Sequence, residues 1–197
     1  MVCSSRNASS GDLVGKNQEI NINEVKVMQI NKHEDDRGNF FKFQPQQILK
    51  LDLDSVAISV NPHIGTVRGL HFQVEPHAEE KVITCLQGAI FDVIVDLRSQ
   101  SKTFGEWSCI ELSAENATQL YLPKGIAHGF QTIKPNTIVH YSISGSFFQD
   151  SAFTIDPLGD LDVAWPIEEK IISKKDKQGI SFQQAAKIFA NSSDSLL

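Results

Sequence analysis

Short stretches in which apolar and polar residues alternate dominate the chain from about residue 20 to residue 165. These stretches are rich in β-branched residues, and turn signals such as Gln87-Gly88 and Lys134-Pro135-Asn136 separate them. Many short strands at this spacing are typical of a β-sandwich or a β-barrel and not of βαβ units. We therefore predict an all-β domain with strands at 25–30, 39–43, 56–60, 81–86, 89–97, 106–112, 118–122, 129–133 and 138–142.

Helical patterns are confined to the periphery of the chain. Residues 46–51 are sufficient for one or two turns, and 181–190 have the apolar spacing of a short C-terminal helix. Residues 1–18 are rich in Ser, Asn and Gly and have no periodicity, which predicts a disordered lead-in. We expect the β domain to occupy 19–180, with a short helix and a frayed tail at 181–197.

Charge and cysteine content narrow the classes of protein to consider. The net charge is −6 and there is no cluster of Lys or Arg, which argues against nucleic-acid binding. No run approaches the roughly 18 apolar residues of a membrane helix, so no membrane association is expected. The three widely spaced cysteines, Cys3, Cys85 and Cys109, and the absence of an apolar targeting segment predict a reduced, cytoplasmic protein.

The segment Arg68-Gly69-Leu70-His71-Phe72-Gln73, followed by Lys81, concentrates the chemically useful side chains. In a regular strand Arg68 and His71 face opposite sides, so a bend at Gly69 is needed to bring them together. The set offers a cation for phosphates, an imidazole for proton transfer and an ammonium for an oxyanion. It indicates removal of a proton next to a carbonyl, although a single histidine beside an apolar run is more often structural.

Six segments, in order along the chain, resemble the dTDP-4-dehydrorhamnose 3,5-epimerase family. They are Asp36-Arg37-Gly38-Asn39-Phe40-Phe41, 66–73, 91–98, 101–105, 122–130, and Trp165-Pro166 with 173–176. The resemblance implies a cupin-type jelly-roll barrel with short peripheral helices. It also implies a homodimer that acts on a nucleotide-diphosphate sugar with a 4-keto-6-deoxy group, in polysaccharide or deoxysugar biosynthesis.

The resemblance further implies roles for individual residues. His71 is expected to remove the proton from a carbon beside the C4 ketone, with Asp176 as its carboxylate partner and Lys81 close to the C4 oxygen. Arg68 and Arg37 are expected to bind the diphosphate.

Other residues complete the expected set. Gln73, His128, Asn61 and Phe147 are expected to contact the substrate. His128 follows a turn, and closing that loop is its alternative role. Asp92 is expected to be a buried carboxylate near the lysine or, equally, part of the polar face of a strand.

No metal and no cofactor are expected from the sequence. Cupins commonly bind a metal through a His-x-His pair, and the corresponding residues here are His71-Phe72-Gln73. A glutamine amide in place of the second imidazole makes a poor metal site.

The chain departs from the family pattern at two positions. The resemblance implies a tyrosine acid six residues after Tyr141, where this chain has Phe147, and no tyrosine follows Tyr141. Tyr141, His140, Asp150 or water then remain as candidate acids, and a 3,4-ketoisomerase or a non-catalytic nucleotide-sugar-binding cupin remain as alternative functions. Lys42 stands where the family usually has a glutamate, which leaves the choice of nucleotide open.

Overall fold

The computed structural model describes residues 3–4, 20–42 and 54–194, and two large sheets account for most of these residues. In the seven-stranded sheet, antiparallel neighbours are arranged in the order β1 (Cys3–Ser4), β9 (Trp107–Ser113), β8 (Ala89–Asp96), β11 (Ile126–Thr132), β6 (Thr66–Gln73) and β13 (Ala152–Thr154). The short β14 (Ile171–Ile172) also pairs with β6, in parallel.

The second large sheet has five antiparallel strands in all, and the first and last of them are its edges. Its order is β2 (Lys26–Gln29), β10 (Thr118–Leu122), β7 (Lys81–Gln87), β12 (Thr137–Ile143) and β5 (Ser55–Asn61). A separate hairpin consists of β3 (Asn31–Asp35) and β4 (Gly38–Lys42). The prediction of an all-β domain is therefore confirmed.

The hydrophobic core has two parts because the seven-stranded sheet is covered on both faces. One part lies between the two large sheets and includes Ile83, Leu120, Ile94 and Phe130. The other includes residues that follow the last long strand, among them Trp165. Side chains on both faces explain why all eight residues of β8 are buried.

Among the described residues, two α-helices follow the strands along the chain. Helix α1 spans Lys174–Lys177, and helix α2 spans Phe182–Asp194. Ala185 and Phe189 of α2 belong to the second part of the core, so the helix packs against the β domain. None of the helices among the described residues is long and apolar enough to cross a membrane.

Several expectations about local structure need correction. Helix α2 continues to Asp194, beyond the predicted end at 190, and Cys3–Ser4 form a strand within the predicted lead-in. The predicted helix at 46–51 and the remainder of 1–18 lie outside the described residues. Strands β3, β6, β13 and β14 and helix α1 are not among the segments that alternation predicted. For all of them except β6 the reason is length, because segments of two to five residues carry little periodicity of their own.

Candidate active site

A cavity of about 500 Å³ has walls formed by both large sheets. This volume is typical of small-molecule sites. Six of the predicted site residues line the cavity, namely Arg68, His71, Gln73, Lys81, His128 and Phe147. The fold therefore brings together side chains from β6, β7, β11 and the segment that follows β12.

His71 and Asp176 form the hydrogen-bonded pair that the resemblance implied. The distance from His71 Nε2 to Asp176 Oδ1 is 2.8 Å, although the two residues are 105 positions apart in sequence. The side chain of His71 is 45% exposed, whereas that of Asp176 is only 7% exposed. Because the carboxylate accepts the proton on Nε2, the lone pair of the neutral ring is left on Nδ1, which can act as a base.

The surroundings of Asp176 keep this carboxylate ionised. Burial alone would raise its pKa, but the hydrogen bond and charge of His71, with further hydrogen bonds from Ser173 and the Gly69 N–H, lower the pKa below its ordinary value. Ser173 also caps α1, since its hydroxyl accepts a hydrogen bond from the Asp176 N–H at 3.0 Å. The pair therefore has a fixed anion behind a partly exposed imidazole.

An irregularity at Gly69 brings Arg68 and His71 to the same cavity, as the sequence required. The register between β6 and β11 shifts at this point, and Gly69 has a φ of +108°. A side chain at this position would place its Cβ 2.6 Å from the His128 carbonyl oxygen and 2.7 Å from Gly129 Cα. Only glycine fits here, because both the backbone angle and the available space exclude a Cβ.

Asn61 lies behind Arg68 and is not among the residues that line the cavity. Its side-chain oxygen accepts a hydrogen bond from Arg68 Nε at 2.8 Å, and its amide nitrogen donates to Ser59 Oγ at 3.2 Å. The structure thus places Asn61 as a support for Arg68, although the sequence predicted direct substrate contact. The reason is burial, since Asn61 is only 1% exposed.

Tyr141 belongs to the same network and lines the cavity from β12. Its hydroxyl lies 3.4 Å from Ser59 Oγ. Burial raises the pKa of the Tyr141 phenol, and the charge of Arg68 opposes this shift. The phenol therefore keeps its proton across the neutral range and is available as an acid.

Lys81 forms an ion pair with Glu79 at the cavity wall. The distance from Lys81 Nζ to Glu79 Oε1 is 2.6 Å, and the two side chains are 11% and 12% exposed. The other Glu79 oxygen accepts a hydrogen bond from Gln73 Nε2 at 2.9 Å. Gln73 thus borders the cavity as predicted, but its amide nitrogen is used in protein contacts.

His128 and Asp92 form a second histidine–carboxylate pair, and Asp92 is a buried carboxylate, which was one of the two alternatives that the sequence left open. His128 Nε2 and Asp92 Oδ2 are 2.8 Å apart, with side chains 5% and 0% exposed. Burial raises the pKa of Asp92, and the charge of His128 only partly offsets this effect. Asp92 Oδ1 is buried with no hydrogen-bond partner.

Phe147 and Arg37 are two predicted site residues that are largely exposed to solvent. Phe147 lies at the rim of the cavity and is 69% exposed. Arg37 is in the turn between β3 and β4, has a side chain that is 90% exposed, and pairs with Asp35 at 2.6 Å. Arg37 is not among the residues that line the cavity of its own protomer.

Several residues that the sequence did not single out also line the cavity, among them Ser59, Glu79 and Lys175. Lys175 directly precedes Asp176, so its position follows once Asp176 is placed. Glu79 lies within the polar segment that separates β6 from β7. Within the described ranges, no group of three His, Cys, Asp or Glu side chains is arranged to hold a metal ion.

The assembled groups suit chemistry at a carbon next to a carbonyl. A half-exposed imidazole with a fixed carboxylate is a general base, and an ammonium in the same cavity stabilises negative charge on an enolate oxygen. A phenol in the wall formed by the five-stranded sheet is a second group that can donate a proton. Arg68 and Lys175 add positive charge that suits phosphate oxygens.

Comparisons with known proteins agree with this arrangement. The family model described as dTDP-4-dehydrorhamnose 3,5-epimerase matches residues 19–184. The dTDP-4-dehydrorhamnose 3,5-epimerase of Sinorhizobium fredii is 38% identical over 168 residues, which cover 81% of this chain and 85% of the relative.

Solved structures show the same fold. A dTDP-4-dehydrorhamnose 3,5-epimerase from Bacillus anthracis with TDP and PPi bound is 38% identical, with a TM-score of 0.78 over 83% of this chain and 97% of the other. A 3'-monoepimerase from Streptomyces bikiniensis, ChmJ, has a TM-score of 0.79 at 26% identity over 86% of this chain and 89% of the other. The ChmJ protein in that structure is a double mutant bound to dTDP. One histidine and one tyrosine are replaced in it, and these two residues lie 70 positions apart in sequence.

These similarities confirm the jelly-roll architecture that the sequence motifs implied. The matched region includes both sheets, the cavity and the segment that supplies Asp176. The chain therefore belongs to the dTDP-4-dehydrorhamnose 3,5-epimerase family.

Proposed function

We propose that this protein epimerises a nucleotide-linked 4-keto-6-deoxy sugar by removing a proton from a carbon beside the C4 ketone. The observation that carries the proposal is the His71–Asp176 pair, which shares its cavity with the Lys81 ammonium. Membership of the epimerase family supports the same reaction class. The relatives and the bound TDP in the Bacillus anthracis structure favour a thymidine nucleotide, and a screen of dTDP, GDP and CDP sugars would test the effect of Lys42.

In the proposed reaction His71 Nδ1 takes the carbon-bound proton, and the electron pair of the C–H bond forms the enolate. Asp176 stabilises the resulting imidazolium and holds the ring in place. Lys81 donates to the C4 oxygen, where the negative charge collects. A second proton is then delivered to the same carbon from the opposite face, and exchange with solvent restores both side chains.

Tyr141 is proposed as the donor of that second proton. Among Tyr141, His140 and Asp150, only Tyr141 lines the cavity, and it extends from β12 of the five-stranded sheet whereas His71 belongs to the seven-stranded sheet. Burial keeps its phenol protonated, and the positive charge of Arg68 favours the tyrosinate that forms after transfer. His71 and Tyr141 are also 70 positions apart, like the mutated histidine and tyrosine of the ChmJ structure.

This assignment changes the significance of Phe147. Its exposed ring at the rim of the cavity is suited to packing against the nucleotide and not to proton transfer. Arg68 and Lys175 lie where they can bind the diphosphate between the sugar and the rim.

A homodimer is proposed as the working form. The edge strand β5 carries three apolar side chains, Val56, Ile58 and Val60, that are 67%, 59% and 63% exposed, and the first two also border the cavity. An exposed apolar edge strand favours pairing with another chain, and a second copy would also bring its Arg37 hairpin within reach of a neighbouring cavity. A monomeric mass at micromolar concentration would contradict this proposal.

The decisive experiment follows a dTDP-4-keto-6-deoxy sugar in deuterated water by NMR, which reports proton exchange and inversion separately. Tyr141→Phe should reduce inversion by about 10²- to 10⁴-fold while exchange at the carbon facing His71 continues. Phe147→Tyr should change inversion less than about threefold, because Tyr141 already supplies the acid.

If the wild type gives exchange without inversion and Phe147→Tyr restores inversion, Tyr141 is not the acid. Formation of a 3-keto product would instead identify a ketoisomerase, and absence of exchange would identify a non-catalytic binding protein.

A further inference from the structure

We propose that Glu79 is a positioning residue for Lys81, which it holds at the place where the enolate oxygen forms. This inference rests on the proposed epimerase function and deepens it. Its basis is the ion pair of 2.6 Å between two side chains that are each about nine-tenths buried at the cavity wall. Lys81 has a long, flexible side chain, so an ammonium without a partner would be free to adopt several positions in a cavity of about 500 Å³.

Glu79 is itself held in place from the opposite side. Gln73 donates from Nε2 to Glu79 Oε2 at 2.9 Å and also to the carbonyl oxygens of His77 at 3.1 Å and Ser146 at 3.3 Å. Gln73 Oε1 accepts from the Phe148 N–H at 2.8 Å. The carboxamide is therefore saturated, and its orientation fixes the Glu79 carboxylate.

These contacts connect two ends of the proposed substrate site. The Phe148 N–H follows Phe147, whose ring lies at the cavity rim, while Glu79 reaches the ammonium in the wall. The segment that packs against the nucleotide and the cation that stabilises the enolate thus share one hydrogen-bonded support. An ammonium has three donors, and because Glu79 takes one of them, two are left for the sugar.

Glu79→Gln tests this role because it removes the charge and preserves the size of the side chain. For solvent exchange we expect kcat to fall by about 10- to 100-fold, while KM changes less than about threefold, since the lysine loses its fixed position and the nucleotide contacts remain. Glu79→Asp should give a similar loss, because the shorter side chain does not reach Nζ. Full activity of both variants would overturn the proposal.

Glu80→Gln is the matched control. Glu80 is the next residue, and its Oε1 accepts a hydrogen bond from the Tyr121 hydroxyl outside the cavity. A glutamine preserves an acceptor there and removes the same charge from the chain. Exchange by this variant should stay within about twofold of the wild type, and a loss as large as that of Glu79→Gln would assign the effect to net charge alone.

A double-mutant cycle with Lys81→Met separates positioning from general stability. In the wild-type background Glu79→Gln should lower the urea midpoint. In the Lys81→Met background the same change should raise the midpoint, because it removes a buried carboxylate that has lost its cation, and it should not slow the residual exchange further. An equal effect in both backgrounds would overturn the role of Glu79. Absence of exchange by the wild type with every nucleotide sugar would overturn the proposed function itself.

Discussion

Two histidine–carboxylate pairs meet the same cavity and have the same separation, yet their environments are opposite. His71–Asp176 and His128–Asp92 both have an N–O distance of 2.8 Å. His71 is 45% exposed, whereas His128 is 5% exposed. The pKa of Asp176 is lowered by its hydrogen-bond donors, and that of Asp92 is raised by burial.

The difference teaches that geometry alone does not identify the catalytic pair. Asp176 has partners in addition to its histidine, and an ionised carboxylate beside an accessible ring supports proton abstraction. Asp92 has an oxygen without a partner and lies on a fully buried strand. The first pair is therefore suited to chemistry and the second to holding the cavity wall in place.

The largest effect is expected from His71→Ala. Solvent exchange into the keto sugar should fall by about 10²- to 10⁴-fold, since the general base is removed, while the fold persists because the ring is half-exposed. His63→Ala is the control, as its side chain is exposed and outside the cavity. NMR measures solvent exchange, and circular dichroism measures whether the variant is folded. Undiminished exchange in His71→Ala would remove His71 from the mechanism.

His128→Ala should act mainly on stability. It leaves the buried Asp92 carboxyl group without its hydrogen-bond partner, and a buried polar group without a partner costs about 1–3 kcal/mol in the free energy of unfolding. His128→Ala combined with Asp92→Asn should recover part of this loss, because the amide carries no charge. Urea unfolding measures the difference, and a loss no larger than that of His71→Ala would contradict the contrast between the pairs.

Asp176→Asn should reduce exchange by about 10²-fold, less than removal of the base itself. An amide no longer fixes the ring tautomer or stabilises the imidazolium. Added to His71→Ala, the same change should have no further effect on exchange, because the carboxylate acts only through the ring. Additive losses would assign Asp176 a separate role.

The smallest effects are the opposite pH dependences of the two carboxylates. The folded-state pKa of Asp176 is below its ordinary value of 3.8, so its contribution to stability is complete above that pH and is lost as the pH falls through the folded pKa. The folded-state pKa of Asp92 is above 3.8, so its contribution is complete below that pH and is lost as the pH rises through the folded pKa. Urea unfolding from pH 3 to 7 should therefore show that Asp176→Asn loses stability relative to wild type as the pH rises, whereas Asp92→Asn gains it. Parallel pH profiles of the two variants would show that the environments are alike.

The sequence predicted the fold and the site best in segments where a periodic apolar pattern also carries reactive side chains. The alternation of apolar residues predicted most of the long strands, and the 68–73 segment identified Arg68 and His71 together with the bend at Gly69. Asp176 followed only from the family motif, because a contact across 105 residues leaves no local pattern.

Other positions depend on packing that a linear pattern does not encode. Glu79 precedes β7 in a polar segment, and only the fold turns its carboxylate into the cavity. Asn61 lies at the end of β5, and its polar side chain could face the substrate or a neighbouring residue. The sequence therefore did not distinguish contact with substrate from support of Arg68. The pairing of Asp92 with His128 was not predicted, because strand alternation gives the face of a side chain and not its neighbour.

The attachment of the C-terminal segment has a consequence for how the enzyme loses activity. Asp176 lies on a single helical turn that follows the two-residue strand β14, so fewer backbone hydrogen bonds hold this segment than hold the long strands of the barrel. Local opening of such a segment needs less free energy than global unfolding. Under mild denaturant the population of protein with a complete dyad should therefore fall while the barrel is still folded, so turnover reports the docking of this segment and spectroscopy reports the barrel.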